Sequence, residues 1–164
     1  MSILGDAGVL EVSTPIVCRR PRVNPFVHKT LVVQLLAPGT GRCPVLAHLG
    51  YAADDPFAVT AAFAHDGRVL ACWRLDREML SAGLAGPVGV GDVRLRPQGS
   101  GPCHELRLEF LGDSRPDGSR HRAVVLAWAP AVAAFLRETH QVVPPGRERV
   151  DVDELLAEIL SGAE

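Results

Sequence analysis

The sequence predicts an α+β domain built on one antiparallel sheet of about seven strands. Three observations carry this. Short segments of alternating apolar and polar residues recur with turn signals between them. Helical patterns are confined to one short segment in the middle and two at the C-terminal end, and strands never alternate regularly with long helices as a βαβ array requires.

The elements follow in order. Residues 1–24 carry little periodicity and include Pro15, the basic run Cys18-Arg19-Arg20-Pro21-Arg22 and Asn24-Pro25, which predicts a loose N-terminal arm ahead of a single domain over 25–161. Phe26 to Leu36 is rich in β-branched residues and is broken by Pro38-Gly39-Thr40-Gly41, giving a first strand and a turn. Val45, Ala47, Leu49 and Tyr51 fall at alternate positions with His48 opposed, and Phe57, Val59, Ala61 and Phe63 repeat the pattern. Asp66-Gly67 then supplies the positive φ angles of a tight hairpin turn leading into Val69, Ala71, Trp73 and Leu75.

Asp76 has the features of a helix N-cap, with Leu75 and Leu80 placed as a hydrophobic staple, and Gly83 offers a left-handed stop after about two turns. The glycine-broken segment from Gly86 to Gly91 reads as a turn. Val93 and Leu95 alternate with Arg94 and Arg96, and Leu106, Leu108 and Phe110 alternate with Glu105, Arg107 and Glu109, so both stretches are strands with one wet face. Arg120 to Trp128 holds the continuous run Val124-Val125-Leu126, which predicts a strand that is central or covered on both faces. Pro130 suits a first helical turn and Val132, Phe135 and Leu136 share one side of the helix that follows. After Pro144-Pro145-Gly146, a last helix is marked by Asp151 as N-cap, Glu154 completing a capping box, and the stripe Val152, Leu155, Leu156, Ile159 and Leu160.

Composition narrows the function. The chain has 164 residues, 47% hydrophobic and 22% charged, a balance that folds one core of ordinary size. Its net charge of −2 provides no global attraction to phosphate backbones or anionic lipid. No basic-then-apolar leader opens the sequence and no apolar run approaches the about 18 residues of a spanning helix, so the expectation is a cytoplasmic protein with no membrane insertion. Cys18, Cys43, Cys72 and Cys103 include no CxxC pair, which predicts four free thiols in a reducing compartment.

No catalytic, cofactor or metal site emerges. Alternation along a strand sends Cys103 and Glu105 to one face and His104 to the other, so this cluster does not converge on a metal. Nucleophilic catalysis by Cys18, Cys43 or Cys72 would need a positioned base, and His28, His48, His65, His121 and His140 are all isolated in sequence; a buried thiol is the ordinary state of a lone cysteine. Gly86, Gly89 and Gly91 neither match a dinucleotide fingerprint nor lead from a strand into a helix. Asp54-Asp55 before Pro56 reads as a solvated turn.

Two surfaces remain. Arg94, Arg96, Arg107, Arg120 and Arg122 are placed to share one outer sheet face, a stripe that would follow a single-stranded nucleic acid. Glu105 and Glu109 interrupt it and no outward position of these strands is expected to be aromatic, which favours a solvated, ion-paired face. The segment Leu84, Pro87, Val88 and Val90 is apolar and broken by glycines, so it is either a contact surface for a partner or a second copy, or part of the chain's own core.

The order of motifs resembles the SsgA-like family of actinomycete sporulation and cell division proteins. The resemblance rests on Leu49-Gly50-Tyr51, Asp55-Pro56-Phe57-Ala58-Val59, Phe63, Trp73 and Leu75 to Leu84, followed by Pro87, Gly89 and Gly91-Asp92-Val93-Arg94. Phe135 to Thr139, Val143 to Glu148 and the C-terminal helix continue it. It implies a Whirly-like fold, self-association that reaches a trimer, and no catalytic residues or cofactors. It also implies an adaptor at the division septum, with the tubulin-like FtsZ or another SsgA-like protein as partner; nucleic acid is disfavoured by the interleaved Glu105 and Glu109 of the arginine face. The arm over 1–24 and the loop Gly112 to Ser119 depart from the family pattern by their length.

Overall fold

The computed structural model describes residues 25–39 and 41–161, with the side chains at 154, 155 and 158 excepted; the arm over 1–24 lies outside the described residues. The sheet has eight strands: β1 (Phe26–Ala37), β2 (Gly41–Ala52), β3 (Ala58–His65), β4 (Arg68–Asp76), β5 (Val88–Val90), β6 (Val93–Gln98), β7 (Glu105–Ser114) and β8 (Arg120–Trp128). Three helices accompany them, α1 (Arg77–Ala85) after β4, α2 (Ala129–Val142) after β8 and α3 (Val152–Ser161) at the end. All pairings are antiparallel, in the order β4-β3-β2-β1-β8-β7-β6-β5.

The count of about seven strands is corrected to eight. The extra strand is β5, in the segment read as a turn. Three residues are too few to show alternation, and Val88-Gly89-Val90 becomes a strand only because β6 offers it a ladder, Val88 opposite Leu95 and Val90 opposite Val93. The expected hairpin at Asp66-Gly67 is present, with φ of 48° and 73°.

The sheet curls so that one face encloses the core. Val33, Val45, Ala47, Val59, Leu75, Leu95, Leu106 and Val125 line its interior with Phe135 and Leu136 of α2 and Leu80 of α1. Phe110 of β7 meets Phe63 of β3 edge-on at 5.6 Å and Trp73 of β4 at 4.7 Å, contacts that reach between opposite halves of the curl. A cavity of about 20 Å³ is left among these apolar side chains, no more than a water would fill and with no polar partner for one. As the run Val124 to Ala127 predicts, β8 is central and buried on both faces.

α1 is capped by Asp76, whose carboxylate accepts from the Met79 amide at 2.6 Å. Gly83 does not stop it. The helix runs through to Ala85, and Gly83 is buried where a Cβ would lie 2.7 Å from Leu95 Cβ. The sequence shows a glycine near a helix end; packing of α1 on β6 gives it a different task, close approach. At the start of α3 Asp151 accepts from the Asp153 amide at 3.1 Å, as an N-cap does.

Candidate functional site

β5 forms one open edge of the sheet, joined to β6 by a turn in which Gly91 holds φ of 59°. The turn is braced from β8 and β7: Arg120 Nη2 donates to Asp92 Oδ1 at 2.6 Å, and the Leu111 amide donates to the Asp92 carbonyl at 2.8 Å. Pairing sends Val88 and Val90 to the core side and Gly89 to the outer side. The four residues singled out from sequence therefore separate. Leu84 and Val88 are half-buried against the core, Pro87 is exposed, and Val90 is 70% exposed. The edge holds an apolar side chain in solvent and, on β5, one side of a backbone that no strand among the described residues pairs.

Behind that edge the outer faces of β6 and β7 form a groove of about 350 Å³ lined by Pro87, Val88, Gly89, Arg94, Arg96, Arg107 and Glu109, among others. Gly89 makes room for it, because a Cβ there would stand 3.2 Å from Arg94 Cγ. Arg96 and Arg107 sit directly opposite each other across the ladder. Like charges so placed raise the energy of the pair. Arg107 Nε is buried without a hydrogen-bond partner, and its Nη2 reaches Glu109 only at 3.6 Å. Glu109 also faces Arg122 at 3.4 Å, and Glu105 is taken by Arg42 of β2 at 2.8 Å. Register thus places all five predicted arginines on the outer face. Arg120 and Arg122 are spent on Asp92 and Glu109, while Arg94 and Arg96 have no ion pair among the described residues.

One expectation about this face is corrected. Register places Trp128 on the same side as Arg122, where it is exposed. Its indole N–H donates to the Pro102 carbonyl at 3.0 Å, so a 3-10 turn over Gly101–Cys103 pins it at the far end of β8 from Arg120.

The other candidates resolve into ordinary structure. Cys103 lies in that turn, His104 Nδ1 bonds the Gly101 carbonyl at 2.7 Å, and Glu105 holds Arg42. Among the described residues no group of three His, Cys, Asp or Glu side chains is placed to hold a metal. Asp55 pairs with Arg74 at 2.6 Å. Cys43, Cys72 and Cys103 are free thiols, Cys72 and Cys103 exposed and Cys43 half-buried; Cys18 lies outside the described residues. In the native protein a thiol reagent is expected to modify Cys72 and Cys103 before Cys43. Mass-resolved labelling in which Cys43 reacts first would contradict the placement of β2.

Sequence reasoning missed a buried polar cluster. Arg77, 2% exposed, opens α1 and donates to the Thr139 carbonyl at 3.2 Å, to the Val143 carbonyl at 2.8 Å and to the Glu148 carboxylate. Its guanidinium lies 4.9 Å from the Tyr51 ring centroid, and Tyr51 donates to the Pro56 carbonyl at 3.0 Å. Backbone hydrogen bonds and Arg77 hold Glu148 below the usual carboxylate range, and burial together with Arg77 pushes His140 down. Burial raises Tyr51, with Arg77 opposing. The cluster ties the end of α2 and the chain leading to α3 onto α1. The one legible signal was an arginine at the head of an otherwise apolar helical stripe.

Comparisons with known proteins agree with this architecture. Residues 45–148 match the model of the family described as Streptomyces sporulation and cell division protein, SsgA. A sporulation-specific cell division protein SsgB from Kineococcus radiotolerans is 41% identical over 72% of this chain and 70% of its own length. The SsgB of Streptomyces coelicolor is 35% identical over 85% of this chain and 98% of its own. Among solved structures, the SsgA-like sporulation-specific cell division protein of Thermobifida fusca superposes with a TM-score of 0.71 at 29% identity, over 85% of this chain and 99% of that one. The chain belongs to the SsgA-like family of sporulation and cell division proteins.

Proposed function

We propose that the chain is a non-enzymatic adaptor in sporulation-specific cell division, working at the division septum by binding other proteins and itself. Its relatives are named for that process. The observation that carries the reading is the β5 edge, where Val90 stands in solvent beside a strand backbone left unpaired among the described residues. Such an edge accepts an added strand or an apolar side chain from a partner. FtsZ or another SsgA-like protein is the proposed occupant. Among the described residues no helix is long and apolar enough to cross a membrane, so the partner is to bring the chain to the septum. The test is direct binding of purified FtsZ to the full chain. Saturable binding that survives raised salt and falls with Val90→Asp supports the adaptor, and no binding to FtsZ or to any SsgA-like protein counts against it.

A second reading has a specific observation behind it. The outer arginines, with Arg94 and Arg96 lacking ion pairs among the described residues, would suit a single-stranded nucleic acid. Oligonucleotide binding that weakens steeply with salt would favour this reading.

A further inference from the structure

β5 is short, and its open edge offers little backbone. Val90 and Val93 close the turn over Gly91-Asp92 as a hydrogen-bonded pair, and pairs alternate along an antiparallel ladder, so Gly89, opposite Arg94, turns its N–H and C=O away from β6. No strand among the described residues takes them. Pro87, the next residue whose groups would point that way, has no N–H. The edge therefore gives an incoming strand one residue's donor and acceptor, and the rest of its binding has to come from side chains. On the outer side Arg94 and Arg96 have no ion pair among the described residues, Arg96 faces Arg107 across the ladder, and Arg107 Nε lacks a hydrogen-bond acceptor. Glu109, opposite Arg94, is turned to Arg122 at 3.4 Å and to Arg107 at 3.6 Å, so this face is cationic on balance. Gly89 puts no side chain between Arg94 and the edge. On the core side Val90 is exposed.

We propose that the β5 edge takes an extended segment of a partner protein in which acidic and apolar residues alternate. The residue that pairs with Gly89 is acidic, and its side chain lies on the outer side, where it passes over the bare glycine to reach Arg94. A second acid two residues along, beside Pro87, reaches Arg96. The span is two strand spacings, about 10 Å, which a glutamate and an arginine side chain cover together. The residues between them face the core side, where Val90 gains an apolar neighbour. An anion at Arg96 also offsets its repulsion with Arg107, and charge-assisted hydrogen bonds fix the register that so short a ladder leaves loose. A phosphate chain suits the site less well: it brings no strand N–H for the Gly89 carbonyl, and no aromatic lines the groove for its bases. The partner segment so described deepens the adaptor reading of the β5 edge and rests on it.

Fluorescence anisotropy of the full chain with a short labelled peptide of alternating valine and glutamate tests it. Saturable binding is expected, at least about tenfold tighter than to the same peptide with glutamine for glutamate, or with the valines and glutamates gathered into separate blocks. Arg94→Glu with Arg96→Glu is expected to lose the glutamate peptide and to take one with lysine for glutamate; both positions are exposed, and unchanged thermal unfolding checks the fold. Should that pair unfold, Arg94→Gln with Arg96→Gln is expected to lose the preference for glutamate over glutamine. No binding of the alternating peptide, equal binding of the block peptide, or a glutamate preference that survives either double change would overturn the proposal. So would a single-stranded oligonucleotide that binds tighter than the peptide and is lost with the same arginines. Binding of FtsZ or another SsgA-like protein that falls with Val90→Asp, found together with failure of the peptide, would leave the adaptor edge standing and sink the acidic segment alone.

Discussion

Gly83→Val is expected to destabilise the domain by about 3 kcal/mol or more, enough to lower Tm by about 10 °C or to leave the protein aggregated. An added Cβ meets Leu95 Cβ at 2.7 Å and Leu95 Cδ1 at 3.1 Å, and the γ carbons of valine would crowd the same wall, where Leu106 also packs. Leu95 has no room to retreat, being 1% exposed. Intrinsic propensity opposes this, since glycine in a helix costs about 1 kcal/mol relative to alanine. Gly83→Ala is therefore expected to lose stability too, by less than valine, because part of the clash is returned by the better helix former. A stabilised alanine variant in thermal unfolding would show that α1 lies farther from β6 than the structure places it.

Arg77→Met is expected to cost about 3 kcal/mol, again readable as a fall in Tm. Methionine fills much of the volume but leaves the Thr139 and Val143 carbonyls without this donor and Glu148 without its counter-charge. The pH dependence gives a second readout. Glu148 has a folded value below its unfolded one, so its contribution is present above the ordinary carboxylate value and is lost as pH falls through the depressed folded value. His140 is also depressed, hence the unfolded chain takes up its proton first and stability falls as pH drops below the ordinary imidazole value. Arg77 contributes to both shifts. Arg77→Met should therefore flatten the acid side of the stability profile as well as lower it. A variant with wild-type Tm and an unchanged profile would contradict the clamp.

Legibility in the sequence followed how local the cause was. Alternation in β2, β6 and β7, the Asp66-Gly67 turn, and the caps at Asp76 and Asp151 depend on neighbours in sequence, and each is found where the pattern puts it. β5 depends on a ladder offered by β6, and Gly83 on contact with Leu95, so a strand was read as a turn and a packing glycine as a stop. The outer arginines were legible as one face through alternation alone. Which of them are spent was not, because Arg120 reaches Asp92 from 28 residues away and Arg42 takes Glu105 across 63. In the segment from Leu84 to Val90, Leu84 and Val88 pack on the core, while Val90 faces solvent.

That division selects the probe for the central claim, that the chain acts in sporulation septation through an exposed edge rather than through chemistry. The measurement is imaging of a fluorescent fusion during sporulation, in wild-type form and as Val90→Asp, beside thermal unfolding of both purified proteins. The expected result is wild-type protein at forming septa and a dispersed variant of unchanged Tm, because Val90 makes little contact with the core. Wild-type protein that never gathers at septa, or a Val90→Asp variant that gathers there as the wild type does, would contradict it.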